Sequence, residues 1–407
     1  MIIRPAQRTR NVREYYFSRK NKEIADLDKA RAGRGDAGII NLGIGSPDGM
    51  PPEAAIRVLA ASAARPGNHS YQSYTGIPAL REAFARWYKT YYHVDLDPAS
   101  EIQPLVGSKE GILLTSLAFL DKGDKVLVPD PGYPAYTSAS RLVEAETVTY
   151  DLTEKNGWLP DFGRLGRMDL TGVKIMWLNY PNMPTGACAT PELYRQAVDF
   201  ARKHGILVIN DNPYSFILTD RPLSILGVPG AKDCCLELNS LSKAHNMAGW
   251  RIGMIAGASD MIAEVLKVKS QMDSGMFKPL QLAAIEALGQ GPEWFRKLNA
   301  EYGRRREAAG RILDTIGAKY GKDGGGLFLW GRISEDNPLL EGTDPHLSFG
   351  ERVSDRLLYG CGVFITPGFI FGRNGECYVR ISICSPVETL NEADGRIKAF
   401  CAGLKRG

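Results

Sequence analysis

Between about residues 100 and 260, short apolar runs alternate with amphipathic helical stretches, and this alternation constrains the fold more than any other feature of the chain. Lys125 to Pro129 (KVLVP) ends in Asp-Pro-Gly, and Val173 to Leu178 (VKIMWL) ends in Asn-Tyr-Pro. A helix with both end signals follows: Thr190 as N-cap, Pro191 at its first position and Gly205 beyond its last turn. Its apolar residues Leu193, Ala197 and Ala201 recur every four positions, with Tyr194 and Val198 alongside, so one stripe is buried. The runs Ile206 to Ile209 and Cys234 to Leu238 come next. Strand–helix–strand order of this kind builds a mostly parallel sheet, because parallel neighbours need a crossover too long for a hairpin. The predicted fold class is α/β: a three-layer large domain with a mostly parallel sheet.

Past Gly291 the pattern changes. A charged helical stretch (294–313) precedes Gly324 to Trp330, a predicted strand; a helix near 349–359 and strands near 363–366 and 378–383 follow. These predict a smaller α+β domain. The expected division is an arm and part of the small domain in 1–47, the large domain in 48–293 and the C-terminal small domain in 294–407. The arm mixes Tyr15, Tyr16, Phe17, Ile24 and Leu27 with charges, as a docked amphipathic helix does.

Composition narrows the function. The 407 residues are 44% hydrophobic and 24% charged, which excludes a disordered chain, and a net charge of +4 is too mild to imply nucleic acid. No apolar core follows the basic N-terminus, so it does not read as a secretory signal, and the run Gly111 to Leu120 is far short of the roughly 20 residues a membrane span needs. Seven cysteines without a C-x-x-C pair and five scattered histidines predict neither a disulfide framework nor a metal site. The expected location is the cytoplasm.

The chemistry concentrates in Ser240-Leu241-Ser242-Lys243-Ala244-His245-Asn246-Met247-Ala248-Gly249-Trp250-Arg251. A lysine in a serine-rich turn at a strand end becomes a nucleophilic amine if desolvated, able to hold an aldehyde as a Schiff base. Taken alone, such a lysine is an exposed surface charge. Asp211, in Asn-Asp-Asn-Pro-Tyr at another strand end, points into the crevice where α/β sheets bind ligands, and Pro213 turns Tyr214 toward the same place. A carboxylate there either caps its own turn or pairs with a cation such as a protonated pyridine nitrogen. Val106-Gly107-Ser108-Lys109 precedes an apolar helix whose first amides suit a phosphate, and Asp130-Pro131-Gly132-Tyr133 offers an aromatic ring at the same edge.

Together these segments resemble the class I/II aminotransferases of the fold-type I pyridoxal-phosphate enzymes. The likeness runs from EYYFSRK through NLGIGSPD, YQSYTGIPALREAF, VGSKEGI, DPGYP, NYPNMPTG, DNPY, SLSKAHNMAGWRIG and DSGMFKPLQ to YVRISI. It implies the pyridoxal-phosphate transferase fold, the cofactor pyridoxal 5'-phosphate on a Lys243 Schiff base, and ping-pong transfer of an amino group between an L-amino acid and a 2-oxo acid. In this reading Asp211 pairs with the ring nitrogen, Tyr214 bonds the phenolic oxygen and Tyr133 stacks on the ring. Ser108, Lys109, Ser240 and Arg251 hold the phosphate, which Tyr74 reaches from the neighbouring subunit of a homodimer with its active site at the interface. Arg380, helped by the Gly43 backbone, takes the α-carboxylate. The same fold also supports C–S β-lyases and other α-amino acid lyases. One position departs: Met183 stands where the family carries an asparagine that contacts the phenolic oxygen, so Tyr214 is left as the main partner there. Substrate side-chain residues are not marked; Lys267, Lys269 and Lys278 are expected as solvated surface charges, and Tyr15, Tyr16 and Phe17 either border the pocket or pack in the core.

Overall fold

The computed structural model describes residues 2–10, 12 and 14–404. Thirteen strands are present among them: β1 (Ile40–Asn41), β2 (Ile102–Leu105), β3 (Lys125–Asp130), β4 (Glu146–Asp151), β5 (Val173–Leu178), β6 (Leu207–Asp211), β7 (Cys235–Ser240), β8 (Gly253–Ala256), β9 (Lys319–Tyr320), β10 (Phe328–Arg332), β11 (Val363–Phe364), β12 (Thr366–Pro367) and β13 (Tyr378–Ser382). The large sheet has seven of them in the order β2-β8-β7-β6-β5-β3-β4. Only β8 runs against the rest, pairing antiparallel with both β2 and β7.

The continuous apolar runs become the central strands because both faces of the sheet are covered. Ile175 and Trp177 of β5 pack into the cluster with Ile112, Tyr136 and Val265. Met176 and Leu178 point the other way, against Phe84, Leu193, Tyr194 and Ala197. The helix Pro191–His204 forms as its end signals require: the Thr190 hydroxyl accepts from Leu193 N at 3.1 Å, and Gly205 takes a left-handed φ of 63°. Strand β4 is the exposed edge of the sheet; its alternating ETVTYD carries no long apolar run, and the sequence reading missed it.

A second, antiparallel sheet, β12-β13-β10-β9, packs with the helices Pro292–Thr315, Phe349–Cys361 and Val387–Leu404. The expected strand at Gly324 starts only at Phe328. Gly326 has a left-handed φ of 81°, outside the strand region, so the glycine run is irregular. The N-terminal β1 pairs parallel with β11, Ile40 opposite Val363, which threads the segment after residue 41 between the two sheets. The arm is the helix Tyr16–Ala32, anchored by Ile24 against Leu358 and Phe364. Met183 and Tyr214 join the second sheet's apolar cluster, so the seam between the two sheets runs past the carboxyl end of β6. No helix among the described residues is long and apolar enough to cross a membrane.

Candidate active site

Five strands of the large sheet end at one edge, and each delivers a side chain or loop. β2 leads through Gly107 into the helix Ser108–Phe119. Gly107 has φ 78°, and a Cβ there would run into the Arg251 guanidinium, so only glycine lets this loop close against the arginine. Gly253 of β8 comes as near: its Cβ would lie 2.9 Å from Ser108 N. β3 leads to Tyr133, and the helix Pro134–Leu142 sets Tyr136 one turn further on. β5 leads to Asn179, β6 ends in Asp211, and β7 ends in Ser240, whose short helix Leu241–Ala244 carries Lys243. β13 brings Arg380 from the second sheet, and β1 leads to Gly43 and Gly45.

These meet around a cavity of about 500 Å³. Lys243, Asp211, Tyr214, Ser108, Lys109, Tyr133, Ser240, Arg251, Arg380 and Gly43 all line it. Tyr74 does not: it stands 44% exposed, its carbonyl accepting from Gln103 Nε2 at 2.8 Å. Four basic side chains and a single acid share the lining, so the cavity suits an anionic guest.

Asp211 is buried. Its Oδ2 accepts from the Tyr136 hydroxyl at 2.9 Å, and Asn179 Nδ2 donates to its backbone carbonyl at 2.7 Å. Burial pushes its carboxyl up to about 7, against the opposing pull of the Tyr136 bond and the Lys243 charge. Its Oδ1 is buried without any partner. A buried acceptor left open in this way fits a donor that arrives with a ligand, and a protonated ring nitrogen has the right charge. Lys243 Nζ donates to the Gly45 carbonyl at 2.6 Å, and burial lowers its pKa, which favours the free amine a Schiff base needs. Burial raises the Tyr214 phenol.

Also in the lining, Ser108, Lys109, Ser240, Ser242 and Arg251 gather where the helix from Ser108 begins. Arg251 holds a left-handed φ of 56°, unusual for a non-glycine residue; its Nη1 donates to Ala248 O at 2.9 Å. The amides of a helix N-terminus, three hydroxyls and two cations could hold a phosphate dianion. The lining therefore fits both parts of pyridoxal phosphate: an open acid for the ring and a basic cup for the phosphate.

Arg380 is buried in a collar of rings: Phe328 at 4.0 Å, Phe371 at 4.8 Å and Phe17 at 5.5 Å from its guanidinium carbon. Nη2 donates to Gly43 O at 2.7 Å, and Nη1 meets the Met183 thioether at 3.4 Å. Nε has no partner. No acid faces it, and burial lowers its pKa to about 10. Met183 thus approaches the arginine, while its own N–H donates to Asn179 Oδ1 at 2.8 Å.

Sequence reasoning missed Tyr136, Asn179, Gly45 and the collar members Phe328 and Phe371. Tyr136 was within reach, because Tyr133 and Tyr136 lie three apart across a helix start and so face one way. Phe17 and Tyr15 do border the cavity. His245 was also missed: both ring nitrogens are buried without partners, and burial drives its pKa down to about 3. Of the three lysines expected on the surface, Lys267 is exposed and Lys278 half-buried, but Lys269 is wholly buried; its two acids, Glu110 and Asp273, come from outside its own helix.

Known proteins resemble this chain over most of its length. The family model described as aminotransferase class I and II matches residues 37–397. The LL-diaminopimelate aminotransferase of Dehalococcoides mccartyi is 38% identical over 397 residues, covering 97% of this chain and 98% of that protein. Its counterpart in Aquifex aeolicus is 39% identical over 92% of this chain and 95% of its own. Among solved structures, substrate-bound BacF from Bacillus subtilis superposes with a TM-score of 0.88 at 35% identity, over 98% of both chains. A Thermus thermophilus aspartate aminotransferase mutant gives 0.87 at 26%, over 98% of this chain and 100% of that one.

Proposed function

The chain belongs to the class I and II aminotransferase family, and from that premise we propose that it transfers amino groups with pyridoxal 5'-phosphate held covalently by Lys243. The enzyme is a transaminase, and its substrates are amino acids and 2-oxo acids. The observation that carries the cofactor assignment is the buried, unpartnered Oδ1 of Asp211 in the same cavity as the desolvated Lys243 amine.

When bound, the cofactor supplies an aldehyde that condenses with amines and a ring that accepts carbanion charge. The chain does the rest. Asp211 pairs with the ring nitrogen, and Tyr136 and Asn179 fix the acid's orientation. Tyr133 covers one ring face and Tyr214 bonds the phenolic oxygen. Ser108, Lys109, Ser240 and Arg251 hold the phosphate. Lys243 would be the base for the substrate Cα proton, its amine made available by burial. The Gly45 carbonyl is the acceptor that parks its ammonium. Arg380 would take the α-carboxylate, since its Nε is unpartnered and its Nη1 meets only a thioether.

Residues 48–293 serve as the cofactor-binding unit, with 1–47 and 294–407 as the unit that closes on it. The protein works as a homodimer in the cytoplasm. Tyr71, Tyr74, Met272 and Phe277, all exposed apolar residues, belong to the subunit interface, where Tyr74 serves the neighbouring phosphate.

Purified protein loaded with pyridoxal phosphate is expected to be yellow, and borohydride reduction followed by peptide mapping to label Lys243. A label elsewhere, or none, refutes the assignment. A donor panel headed by LL-diaminopimelate, the substrate named for the relatives, with 2-oxoglutarate as acceptor, then separates transfer from β-lysis: pyruvate and ammonia released without an oxo acid would identify a lyase.

A further inference from the structure

Lys269 is fully buried, a rare state for an ammonium group, and no role assigned so far explains it. It ends the helix Ser259–Lys269. Its Nζ lies 3.2 Å from Glu110 Oε1 and 3.4 Å from Glu110 Oε2, and it also pairs with Asp273. Each acid in turn holds a backbone amide. Glu110 Oε2 accepts from Val106 N at 2.6 Å, and Asp273 Oδ1 accepts from Gly275 N at 2.9 Å. Val106 immediately precedes Gly107, the N-cap of the helix whose first residues, Ser108 and Lys109, face the cavity. The Val106 carbonyl accepts from Arg251 Nη2 at 3.5 Å. Contacts therefore run unbroken from the buried ammonium, through one carboxylate, to the peptide that opens the phosphate cup.

A glutamate near a helix start can reach back to a preceding amide unaided. What such a cap does not explain is an ammonium brought in from 159 residues further along the chain to close on both oxygens of that glutamate. The cluster holds one cation and two acids, so it is not itself an anion receptor. Its influence on a phosphate is geometric.

We propose that Lys269 is a positioning residue for the cofactor's phosphate: it fixes Glu110, and through Glu110 it fixes the Val106–Ser108 peptides in the shape the phosphate meets. This rests on the cofactor reading given above. Amides aimed in advance bind an anion without reorganising, and a Glu110 deprived of its ammonium turns toward water and releases Val106.

The test compares two ligands that differ only in the phosphate. Wild type, Lys269→Met, Lys269→Arg and Glu110→Ala are titrated with pyridoxal 5'-phosphate and with pyridoxal, following the visible absorbance and borohydride-trapped label. In Lys269→Met and Glu110→Ala the dissociation constant for the phosphorylated ligand is expected to rise about tenfold, the equivalent of one lost hydrogen bond, with pyridoxal unchanged. Lys269→Arg is expected to keep most of the preference. Should Lys269→Met fail to fold, Glu110→Ala carries the comparison alone. Equal weakening toward both ligands, or no weakening toward either, overturns the proposal. A wild type that binds both ligands with equal affinity overturns it too, and one that binds neither sinks the cofactor reading itself.

Discussion

The two walls of the cavity handle buried charge in opposite ways. On the large-sheet wall, Asp211 has an oriented partner in Tyr136 and can also relieve its burial by taking up a proton, since its carboxyl stands at about 7. On the second-sheet wall, Arg380 has neither outlet. Even lowered to about 10 it stays charged at neutral pH, and its neighbours are three rings, a thioether, a hydroxyl and a carbonyl. A buried cation with no acid is costly to hold, so the protein regains that free energy only when a carboxylate arrives. The sheet wall thus carries an acid that can titrate, and the second wall a cation with no acid beside it.

The largest effect should come from removing the proposed Schiff-base amine. Lys243→Ala is expected to lower the turnover by about 10⁴-fold, the scale of a lost acid–base group, while pyridoxal phosphate still binds without forming a borohydride-reducible link. Next comes the second-sheet wall. Arg380→Leu removes two charge-assisted bonds, each worth about 1.5–3 kcal/mol, so kcat/KM for amino donors should fall at least about a hundredfold. Because the collar is apolar, the thermal midpoint of the cofactor-free variant should not drop. A drop would mean that Arg380 is structural and that the contrast between the walls is misdrawn.

The titratable wall makes a pH prediction. A carboxyl raised to about 7 supports the folded, cofactor-free protein at low pH and loses that contribution as the pH climbs from the ordinary carboxylate range toward about 7. A ligand that pairs with ionised Asp211 restores it. Pyridoxamine phosphate, which needs no covalent link, should therefore raise the melting temperature more at about pH 8 than at about pH 5.5, and Asp211→Asn should shrink that difference. An unchanged difference in the variant would assign the effect to the phosphate. The smallest effect expected is at Met183. Met183→Asn supplies the donor that the thioether lacks, so the visible band of the loaded enzyme should titrate roughly one pH unit lower, since a bond to the phenolate stabilises the deprotonated form. No shift would show that Tyr214 alone sets that equilibrium.

Much of this was legible without coordinates, and for a local reason. Lys243, Asp211, Ser108 and Tyr133 each follow an apolar run closed by a turn signal, and a parallel sheet sends all such ends to one edge. Strand β4 escaped because an edge strand covered on one side has no continuous run to betray it. The glycine stretch before Phe328 read as strand because its apolar neighbours outweighed a φ that only the fold imposes.

By itself, then, the amino-acid order determined the alternating sheet, the strand ends that carry Lys243 and Asp211, and the family. These are encoded in periodicity and in residues adjacent along the chain. Only the tertiary structure decided which rings enclose Arg380, that Tyr136 steadies Asp211, and that Lys269 is buried between two acids rather than solvated. Each depends on side chains from segments tens to hundreds of residues apart, and burial is a property of the packed whole that no local window carries.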